Sequence, residues 1–246
     1  MITSVKNETI KTWAKLKIKK YRDQLQLFLI EGEHLVEEAL NSDWELTDLI
    51  VSEHFQLPQR WERVPVTYVA ENVLQHLAYT KSPQGIMAVV KMKQMPFEKH
   101  NRLLLLDAIQ DPGNVGTMIR TADAAGFDGV ILGEGTVDLY NDKVIRSSQG
   151  SLFHLPIMSA NLIEQISVLQ QQGVAVLAST LDEAIPIHTV EHREKMALIV
   201  GNEGSGVDPA LLSKADNRVH IPIYGQAESL NVSVATGILI YRLIEK

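Results

Sequence analysis

The second half of the chain contains five short, continuous apolar runs, each separated from the next by a stretch with helical periodicity. The runs are Leu103–Leu106, Val130–Leu132, Val174–Ala178, Ala197–Val200 and Val219–Ile221. Strands that are apolar throughout, rather than at every second residue, are typical of a parallel sheet covered by helices on both faces. This pattern predicts an α/β fold whose ligands bind in the loops beyond the carboxyl ends of the strands.

A polar segment that contains a proline, residues 93–101, interrupts this periodicity and predicts a domain boundary. The expected domains cover residues 1–95 and 100–246. Before the boundary, a basic N-terminal helix is followed by strand and helix patterns that predict a small α/β domain. The predicted strands lie at 27–30, 49–51, 66–69 and 86–90, and the predicted helices at 33–40 and 71–78.

Composition excludes several classes of protein. The chain of 246 residues is 45% hydrophobic and 22% charged, as in globular proteins. It has no cysteine, which excludes disulfides, thiolate zinc sites and cysteine nucleophiles. No apolar run approaches the roughly 18 residues of a membrane span, and no signal peptide is evident. We therefore expect a cytoplasmic protein without a membrane partner.

Charge is distributed unevenly along the chain. The net charge is −7, yet residues 1–22 carry seven basic side chains and a single acidic one, Glu8. A local basic element of this kind can contact nucleic-acid phosphates while the rest of the surface stays acidic. The pattern is equally compatible with a solvated helix face.

The first candidate site is the segment Asp111–Gly126, which follows the first apolar run of the C-terminal half. Asn114 is predicted to cap a helix there, and Gly126 to end it. The predicted buried stripe consists of Val115, Met118, Ile119 and Ala122. Arg120 then points away from the stripe, at a strand-to-helix junction where a phosphate can be held. The structural alternative is an ion pair between Arg120 and Asp123, three residues apart.

The second candidate site is the loop Gly201–Gly206, directly after the run that ends at Val200. Three glycines in six residues let the backbone turn sharply and approach a ligand closely. The spacing is neither that of a Walker loop nor that of a dinucleotide fingerprint. The alternative is an ordinary tight connection, although Glu203 within the loop makes it less generic.

The third candidate site is the segment Ile221–Ser233, which leads into an apolar helix. Ser229 is predicted to cap this helix, while Asn231 and Ser233 add polar groups to its first turn. A helix start rich in amides suits an anionic group or the polar edge of a nucleoside. Capping alone explains Ser229 but not the cluster of three.

Taken in this order, the three segments resemble the signature motifs of the SpoU (TrmH-like) family of RNA 2′-O-ribose methyltransferases, in the SPOUT superfamily. The resemblance covers roughly residues 102–244 and rests on the sequences NVGTMIRTADAAGF, LIVGNEGSGV and IPIYGQAESLNVSVA. The N-terminal residues resemble the substrate-binding domain that precedes many such enzymes, through FLIEG at 28–32 and SPQGI at 82–86.

The resemblance implies a C-terminal α/β domain with a deep trefoil knot, a topology that periodicity alone does not predict. It also implies a homodimer with the cofactor sites near the interface. The apolar helix at 230–243 is compatible with burial at such an interface. Its side chains of interest are Val234, Ile238, Ile240 and Tyr241.

The implied activity is transfer of a methyl group from S-adenosylmethionine (SAM) to a ribose 2′-hydroxyl of structured RNA, with rRNA favoured over tRNA and with no metal. The implied catalytic residues are Arg120, Asn114, Glu203 and Asn231. The implied SAM-binding residues are Thr180, Gly201, Ile221, Ser229 and Leu230. The residues expected to contact RNA are Lys11, Lys15, Lys19, Lys20, Arg22 and Arg146. Because arginine is almost always protonated, a phosphate-orienting role for Arg120 is favoured over a role as a base.

Two alternatives in other classes stay open. A non-catalytic RNA-binding or assembly factor could retain the fold, although binding alone would not demand the set Asn114, Arg120, Glu203 and Asn231. An oxidoreductase with a nucleotide cofactor is disfavoured because no dinucleotide fingerprint is present. A metal site at His188 and His192, four residues apart, lacks an obvious third ligand.

Overall fold

The computed structural model describes residues 1–61 and 63–245. Before the polar boundary segment, the helices and strands are α1 (Glu8–Lys15), α2 (Lys19–Leu25), β1 (Leu27–Glu31), α3 (Glu33–Asn41), β2 (Leu46–Ser52), β3 (Val66–Val69), α4 (Glu71–Leu77) and β4 (Ile86–Lys91). After it come β5 (Arg102–Leu106), α5 (Pro112–Ala124), β6 (Gly129–Leu132), α6 (Asp142–Ser148), β7 (Ile157–Ser159), α7 (Leu162–Gln171), β8 (Ala175–Ser179), β9 (Ile185–Pro186), β10 (Met196–Val200), α8 (Pro209–Lys214), β11 (Asn217–His220) and α9 (Val232–Ile244). Short 3₁₀ helices lie at Gln59–Trp61, Ser151–Phe153 and Ile187–Thr189.

The chain forms two compact units. The first consists of Met1–Lys93 and Asp138–Phe153, and the second of Gln94–Val137 and the residues from His154 onward. The first unit contains a four-stranded sheet in the order β1-β4-β2-β3. In this sheet β4 runs antiparallel to β1 and β2, whereas β3 is parallel to β2. The small N-terminal α/β domain predicted from the sequence is confirmed.

The basic N-terminal segment forms two helices, whereas the sequence pattern predicts one. Asn7 caps α1 by accepting hydrogen bonds from the N–H groups of Thr9 and Ile10. The helix ends at Lys15, and the backbone is extended at Ile18 before α2 begins. The break interrupts the helical hydrogen-bond ladder while the apolar side of α1 remains in the core. The side chains buried there are Ile10, Trp13 and Leu16.

The structure argues against the predicted RNA contact of Arg22, because the Arg22 side chain is only 6% exposed. The guanidinium Nη2 lies 2.5 Å from the Asp138 carboxylate, and Nη1 donates to the Leu16 carbonyl at 2.9 Å. A charge that is buried in this way needs its partners, so Arg22 is committed to the interior of the first unit and not to phosphate.

The segment Asp138–Phe153 belongs to the first unit, although the boundary predicted from the sequence grouped it with the C-terminal domain. Aromatic packing explains the difference. The ring centroids of Phe28 and Tyr140 are 4.7 Å apart, and those of Trp44 and Phe153 are 5.5 Å apart in an edge-on arrangement. These contacts, with the Arg22–Asp138 ion pair, bind the segment to β1 and its surroundings.

The second unit is built on a seven-stranded sheet in the order β7-β6-β5-β10-β8-β11-β9. All neighbouring strands are parallel, and the interior strands β5, β8 and β10 are almost wholly buried. The predicted parallel sheet is confirmed. The edge strands β7 and β9 were not predicted, since they are only three and two residues long. Within residues 1–61 and 63–245, none of the helices has the length and hydrophobicity that crossing a bilayer requires.

Replacing Arg22 with alanine is expected to lower the free energy of unfolding of the first unit by about 3 kcal/mol, because the largely buried ion pair is broken and Asp138, 16% exposed, loses its closest cation. Lys19 provides the matched control: it lies 3.5 Å from the same carboxylate but is 60% exposed. Lys19→Ala is expected to lose less than about 1 kcal/mol. Urea denaturation followed by tryptophan fluorescence measures both, since the three tryptophans, Trp13, Trp44 and Trp61, all lie in this unit. Equal losses would contradict the special role of Arg22.

Candidate active site

Four neighbouring strands of the second unit end at one edge of the sheet, in the order β5-β10-β8-β11. Because they are parallel, the loops that follow them lie side by side at this carboxyl edge. The three candidate segments follow β5, β10 and β11 respectively. The sheet order therefore brings the three segments to the same edge.

Helix α5 begins one turn earlier than the sequence pattern predicts. Asp111 is the N-cap, and its carboxylate accepts a hydrogen bond from the Asn114 N–H at 2.9 Å. Pro112 occupies the first turn, where its missing N–H leaves no donor unpaired. Asn114 thus lies within the first turn and keeps its side chain free for other contacts. The predicted buried stripe is confirmed at Val115, Met118, Ile119 and Ala122.

Glu203 links the loop after β10 to the loop after β5. Its carboxylate accepts hydrogen bonds from the backbone N–H groups of Gln110 at 3.3 Å and Asp111 at 3.2 Å. It also accepts one from Nδ2 of Asn114 at 3.0 Å. Three donors, two from the end of the loop after β5 and one from the first turn of α5, therefore converge on a single side chain of the loop after β10.

The pKa of Glu203 is lowered from its ordinary value. Burial acts to raise it, but hydrogen bonds from the Asn114 side chain and from nearby backbone N–H groups, including those of Asp111 and Gln110, outweigh that effect. The group is therefore ionised at neutral pH, and an ionised carboxylate only accepts hydrogen bonds.

Asn114 in turn binds the start of α9. Its Oδ1 accepts a hydrogen bond from Nδ2 of Asn231 at 3.2 Å. Oδ1 of Asn231 accepts from Ser233 Oγ at 2.6 Å and from the backbone N–H groups of Ser233 and Val234 at 3.0 and 3.3 Å. Asn231 is therefore the cap of α9. The prediction that Ser229 caps this helix was wrong, because the chain stays irregular up to Asn231.

The direction of every hydrogen bond in this network is fixed from its two ends. Glu203 can only accept, and the backbone N–H groups of Ser233 and Val234 can only donate. Asn114 must therefore turn its nitrogen to Glu203 and its oxygen to Asn231. Each of the two amide nitrogens keeps a second hydrogen that forms no hydrogen bond with another described residue.

Arg120 is an exposed residue in the middle of α5. Among the residues that the structure describes, none forms a hydrogen bond or an ion pair with its guanidinium. Asp123 instead lies 3.4 Å from Nδ1 of His154. The structural alternative, an Arg120–Asp123 pair, is thus not formed, and the guanidinium can bind an anion.

The predicted cofactor residues Thr180, Gly201 and Ile221 follow three adjacent strands: β8, β10 and β11. The backbone N–H of Thr180 donates to the Val219 carbonyl of β11 at 3.1 Å. Gly201 is tightly packed, since a Cβ there would come within 2.2 Å of the backbone of Gly206. The structure places the ends of the three strands next to each other at the carboxyl edge.

The segment Ile221–Leu230 supplies unused backbone groups at the same edge. Apart from bonds within regular helices and strands, it forms no backbone–backbone hydrogen bond with the described residues. Ser229 and Leu230 are exposed at its end, next to the cap residue Asn231. Free N–H and C=O groups of this kind fit a nucleoside held largely through the backbone, as the resemblance implies for SAM.

The predicted RNA-binding lysines are all exposed on α1 and α2. They are Lys11, Lys15, Lys19 and Lys20. Glu8 lies 2.7 Å from Lys11, and Lys19 lies 3.1 Å from Asp23 and 3.5 Å from Asp138. Arg146 is 40% exposed and pairs with Asp142 at 2.8 Å. Exposed ion pairs contribute little to stability, so these side chains can exchange their partners for phosphate.

No three His, Asp or Glu side chains among residues 1–61 and 63–245 form a group that could hold a metal ion. Nδ1 of His192 lies 3.3 Å from the Leu243 carbonyl, and His188 is exposed. The structure brings no third ligand to this pair.

Two polar side chains that were not predicted as site residues also join the loops. Nδ2 of Asn202 donates to the Ala108 carbonyl at 2.8 Å, and the Asp107 carboxylate accepts from the Asp208 N–H at 2.8 Å. Asp107 directly follows β5, and Asn202 is the second residue after β10, within the loop Gly201–Gly206. Ala108 has a left-handed backbone, with φ of 52°, and alanine gives no hint of this conformation.

Two family models match this chain, one on each side of the polar segment 93–101. The model of the SpoU rRNA Methylase family matches residues 101–241, and that of the MRM3-like substrate binding domain matches residues 7–88. A relative from Bacillus subtilis (strain 168), the 23S rRNA (guanosine(2553)-2′-O)-methyltransferase RlmP, is 47% identical over 98% of this chain and 98% of that protein.

Solved structures give the same result. An AdoMet-bound rRNA methyltransferase from Sinorhizobium meliloti has a TM-score of 0.90 and 32% identity, covering 98% of this chain and 96% of that one. The SpoU methyltransferase AviRb from Streptomyces viridochromogenes, in complex with AdoMet, has a TM-score of 0.87 and 25% identity, covering 97% of both chains. The matched region, residues 101–241, covers more than half of the chain and contains Asn114, Glu203 and Asn231, and this chain belongs to the SpoU rRNA methylase family.

Proposed function

We propose that this protein transfers the methyl group of SAM to the ribose 2′-hydroxyl of a guanosine in 23S rRNA. The observation that carries the proposal is the hydrogen-bonded connection of Glu203, Asn114 and Asn231, which joins three loops at one sheet edge. The name of the Bacillus subtilis relative supports the substrate, and the AdoMet-bound structure from Sinorhizobium meliloti supports the cofactor.

The chemistry mainly demands positioning. A ribose hydroxyl is a weak nucleophile until its proton is being removed. When bound, SAM supplies a methyl group that its sulfonium already activates for displacement. The protein therefore has to hold the 2′-oxygen in line for attack and to assist the loss of its proton.

The roles follow from what each side chain can offer. Arg120 binds a phosphate beside the target ribose, since its exposed guanidinium has no other partner in the described chain and its fork of donors matches phosphate oxygens. Asn114 and Asn231 hold ribose oxygens through their second N–H groups. Glu203 keeps both amides in the orientation that presents those donors.

Five residues would hold SAM at the carboxyl edge. Thr180, Gly201 and Ile221 follow adjacent strands, and Ser229 and Leu230 end the irregular segment before α9. Most of the contacts would use backbone groups, because no backbone hydrogen bond to the described residues engages the N–H and C=O groups of Ile221–Leu230 outside regular elements.

The first unit would hold the RNA. It includes the match to the MRM3-like substrate binding domain, and its exposed lysines on α1 and α2 can neutralise several phosphates. We assign this role to Lys11, Lys15, Lys19, Lys20 and Arg146. Arg22 is excluded because it is buried against Asp138.

Helix α9 presents an exposed apolar stripe that suits a second copy of the chain. Its members are Val234, Ile238 and Tyr241, which are 53, 43 and 47% exposed. Intervals of four and three residues place them on one face of the helix. Ile240, which was expected to join them, is buried instead. We propose that this stripe forms the homodimer interface.

Two implications of the resemblance keep the status of predictions. In the trefoil knot, the segment that ends in α9 would be threaded through a loop of the chain. Limited proteolysis of a sample that has been unfolded and refolded would detect molecules that have lost the knot. The rRNA substrate supports the cytoplasmic location predicted from the sequence, which fractionation of cells would test.

The proposed reaction predicts which RNA is labelled. Purified protein incubated with methyl-labelled SAM and unmodified 23S rRNA, 16S rRNA or tRNA should label only the 23S rRNA. Digestion and mass spectrometry should then identify 2′-O-methylguanosine. Label in tRNA would replace the proposed substrate, and absence of label from every pool would favour the non-catalytic RNA-binding alternative.

Arg120→Ala is the variant for this assay. It should lower kcat by about 100-fold, as expected when the reacting groups are misplaced, and leave the calorimetric Kd for SAM within a few fold. Arg193→Ala, which alters an exposed arginine before β10, should leave both values unchanged. Parallel loss of kcat and SAM affinity would show that Arg120 builds the cofactor site instead.

Replacing Lys15 and Lys20 together with alanine should weaken RNA binding and flatten its salt dependence. The slope of log K against log salt should fall in magnitude by roughly 0.7 to 0.9 for each phosphate that the protein no longer neutralises. Lys195→Ala, an exposed lysine of the second unit, is the control. An unchanged slope in the double variant would remove the phosphate-binding role.

Ile238→Asp should convert the dimer to a folded monomer, because it places a charge within the apolar stripe without disturbing the core. Val168→Asp is the matched control, since Val168 on α7 has the same 43% exposure. Sedimentation velocity measures the oligomeric state of both. A dimer that survives Ile238→Asp, or a monomeric wild type, would contradict the proposed interface.

A further inference from the structure

The side chain of Asn202 uses both ends of its amide. Its Oδ1 accepts hydrogen bonds from the backbone N–H groups of Gly204 at 2.8 Å and Ser205 at 3.1 Å, which forms a tight turn within its own loop. Its Nδ2 donates to the Ala108 carbonyl at 2.8 Å, in the loop after β5. Asn202 is therefore a direct bridge between the loops that carry Glu203 and Asn114.

The residue that Asn202 binds has an unfavourable backbone conformation. Ala108 has φ of 52°, in the left-handed region where the Cβ of any residue except glycine is crowded. Such a conformation persists only where the surroundings hold it. The hydrogen bond from Asn202 to its carbonyl is the side-chain contact that holds this peptide.

The left-handed turn decides where the next backbone groups point. Gln110 and Asp111 follow Ala108 by two and three residues, and both aim their N–H groups at the Glu203 carboxylate. Asn114, one turn further along, donates its side-chain N–H to the same carboxylate. A change in the Ala108 peptide would therefore move three of the donors that orient Glu203.

We propose that Asn202 is a positioning residue for methyl transfer: by binding the Ala108 carbonyl, it keeps the left-handed turn that aims the donors of the first loop at Glu203. It touches no reactant and acts through Glu203 and Asn114. The effect on the rate rests on the proposed function, whereas the effect on the loop does not.

Asn202→Asp isolates the bridge between the loops. Aspartate has the same shape and keeps the acceptor for Gly204 and Ser205, but it places an oxygen against the Ala108 carbonyl. We expect kcat to fall by about tenfold, as for the loss of one orienting hydrogen bond, with KM for RNA within about twofold. Amide hydrogen exchange at Gln110 and Asp111, followed by NMR, should accelerate.

Rescue by glycine separates this role from other causes of a lower rate. Ala108→Gly removes the crowded Cβ, so the double variant Ala108→Gly/Asn202→Asp should regain most of kcat and of the amide protection. A loss caused by the extra charge near Glu203 would persist in the double variant. Asn161→Asp is the matched control, since the Asn161 side chain accepts a hydrogen bond from the Glu164 N–H at 3.2 Å and donates none to the described residues.

The outcomes are distinct. Wild-type rate and exchange in Asn202→Asp, or a double variant no better than the single one, would overturn the role of Asn202. If the wild type methylates no RNA, the proposed function fails, yet the exchange rates at Gln110 and Asp111 still decide whether Asn202 holds the loop.

Discussion

The geometry of the candidate site depends on one ionised carboxylate. Glu203 offers no donor, so every group around it must turn an N–H towards it, and this requirement orients the Asn114 amide. Asn114 then orients Asn231, whose other end is fixed by the first turn of α9. Three loops that are far apart in sequence are thereby held in one arrangement, with amide donors left over for a substrate.

The sheet makes this network possible because it brings those loops together. Strands β5 and β10 are neighbours although some 90 residues separate them in the chain, as their register from Leu103–Ala197 to Leu106–Val200 shows. The contacts between the segments that follow β5 and β10 depend on this strand pairing. They include Asp107–Asp208 and Asn114–Glu203. A buried parallel sheet is rigid, so it positions polar side chains more accurately than the loops could by themselves.

The first unit depends on a different interaction, the ion pair of Arg22 with Asp138. The Arg22 side chain is 6% exposed and that of Asp138 is 16% exposed. The pair joins the second helix of the chain to a segment more than a hundred residues away. The rings of Phe28 and Trp44 pack against Tyr140 and Phe153 of the same segment. The unit is therefore discontinuous in sequence, which no local pattern near residues 93–101 could indicate.

The sequence alone determined the α/β class, the five main strands of the parallel sheet and the three segments that carry the site, because burial on both faces and loop chemistry leave local signatures. Only the tertiary structure decided that Arg22 is buried, that Asp111 and Asn231 are the caps, and that Asn202 holds a left-handed Ala108. These features arise from contacts between residues distant in the chain. Such contacts depend on strand order and register, which periodicity does not encode.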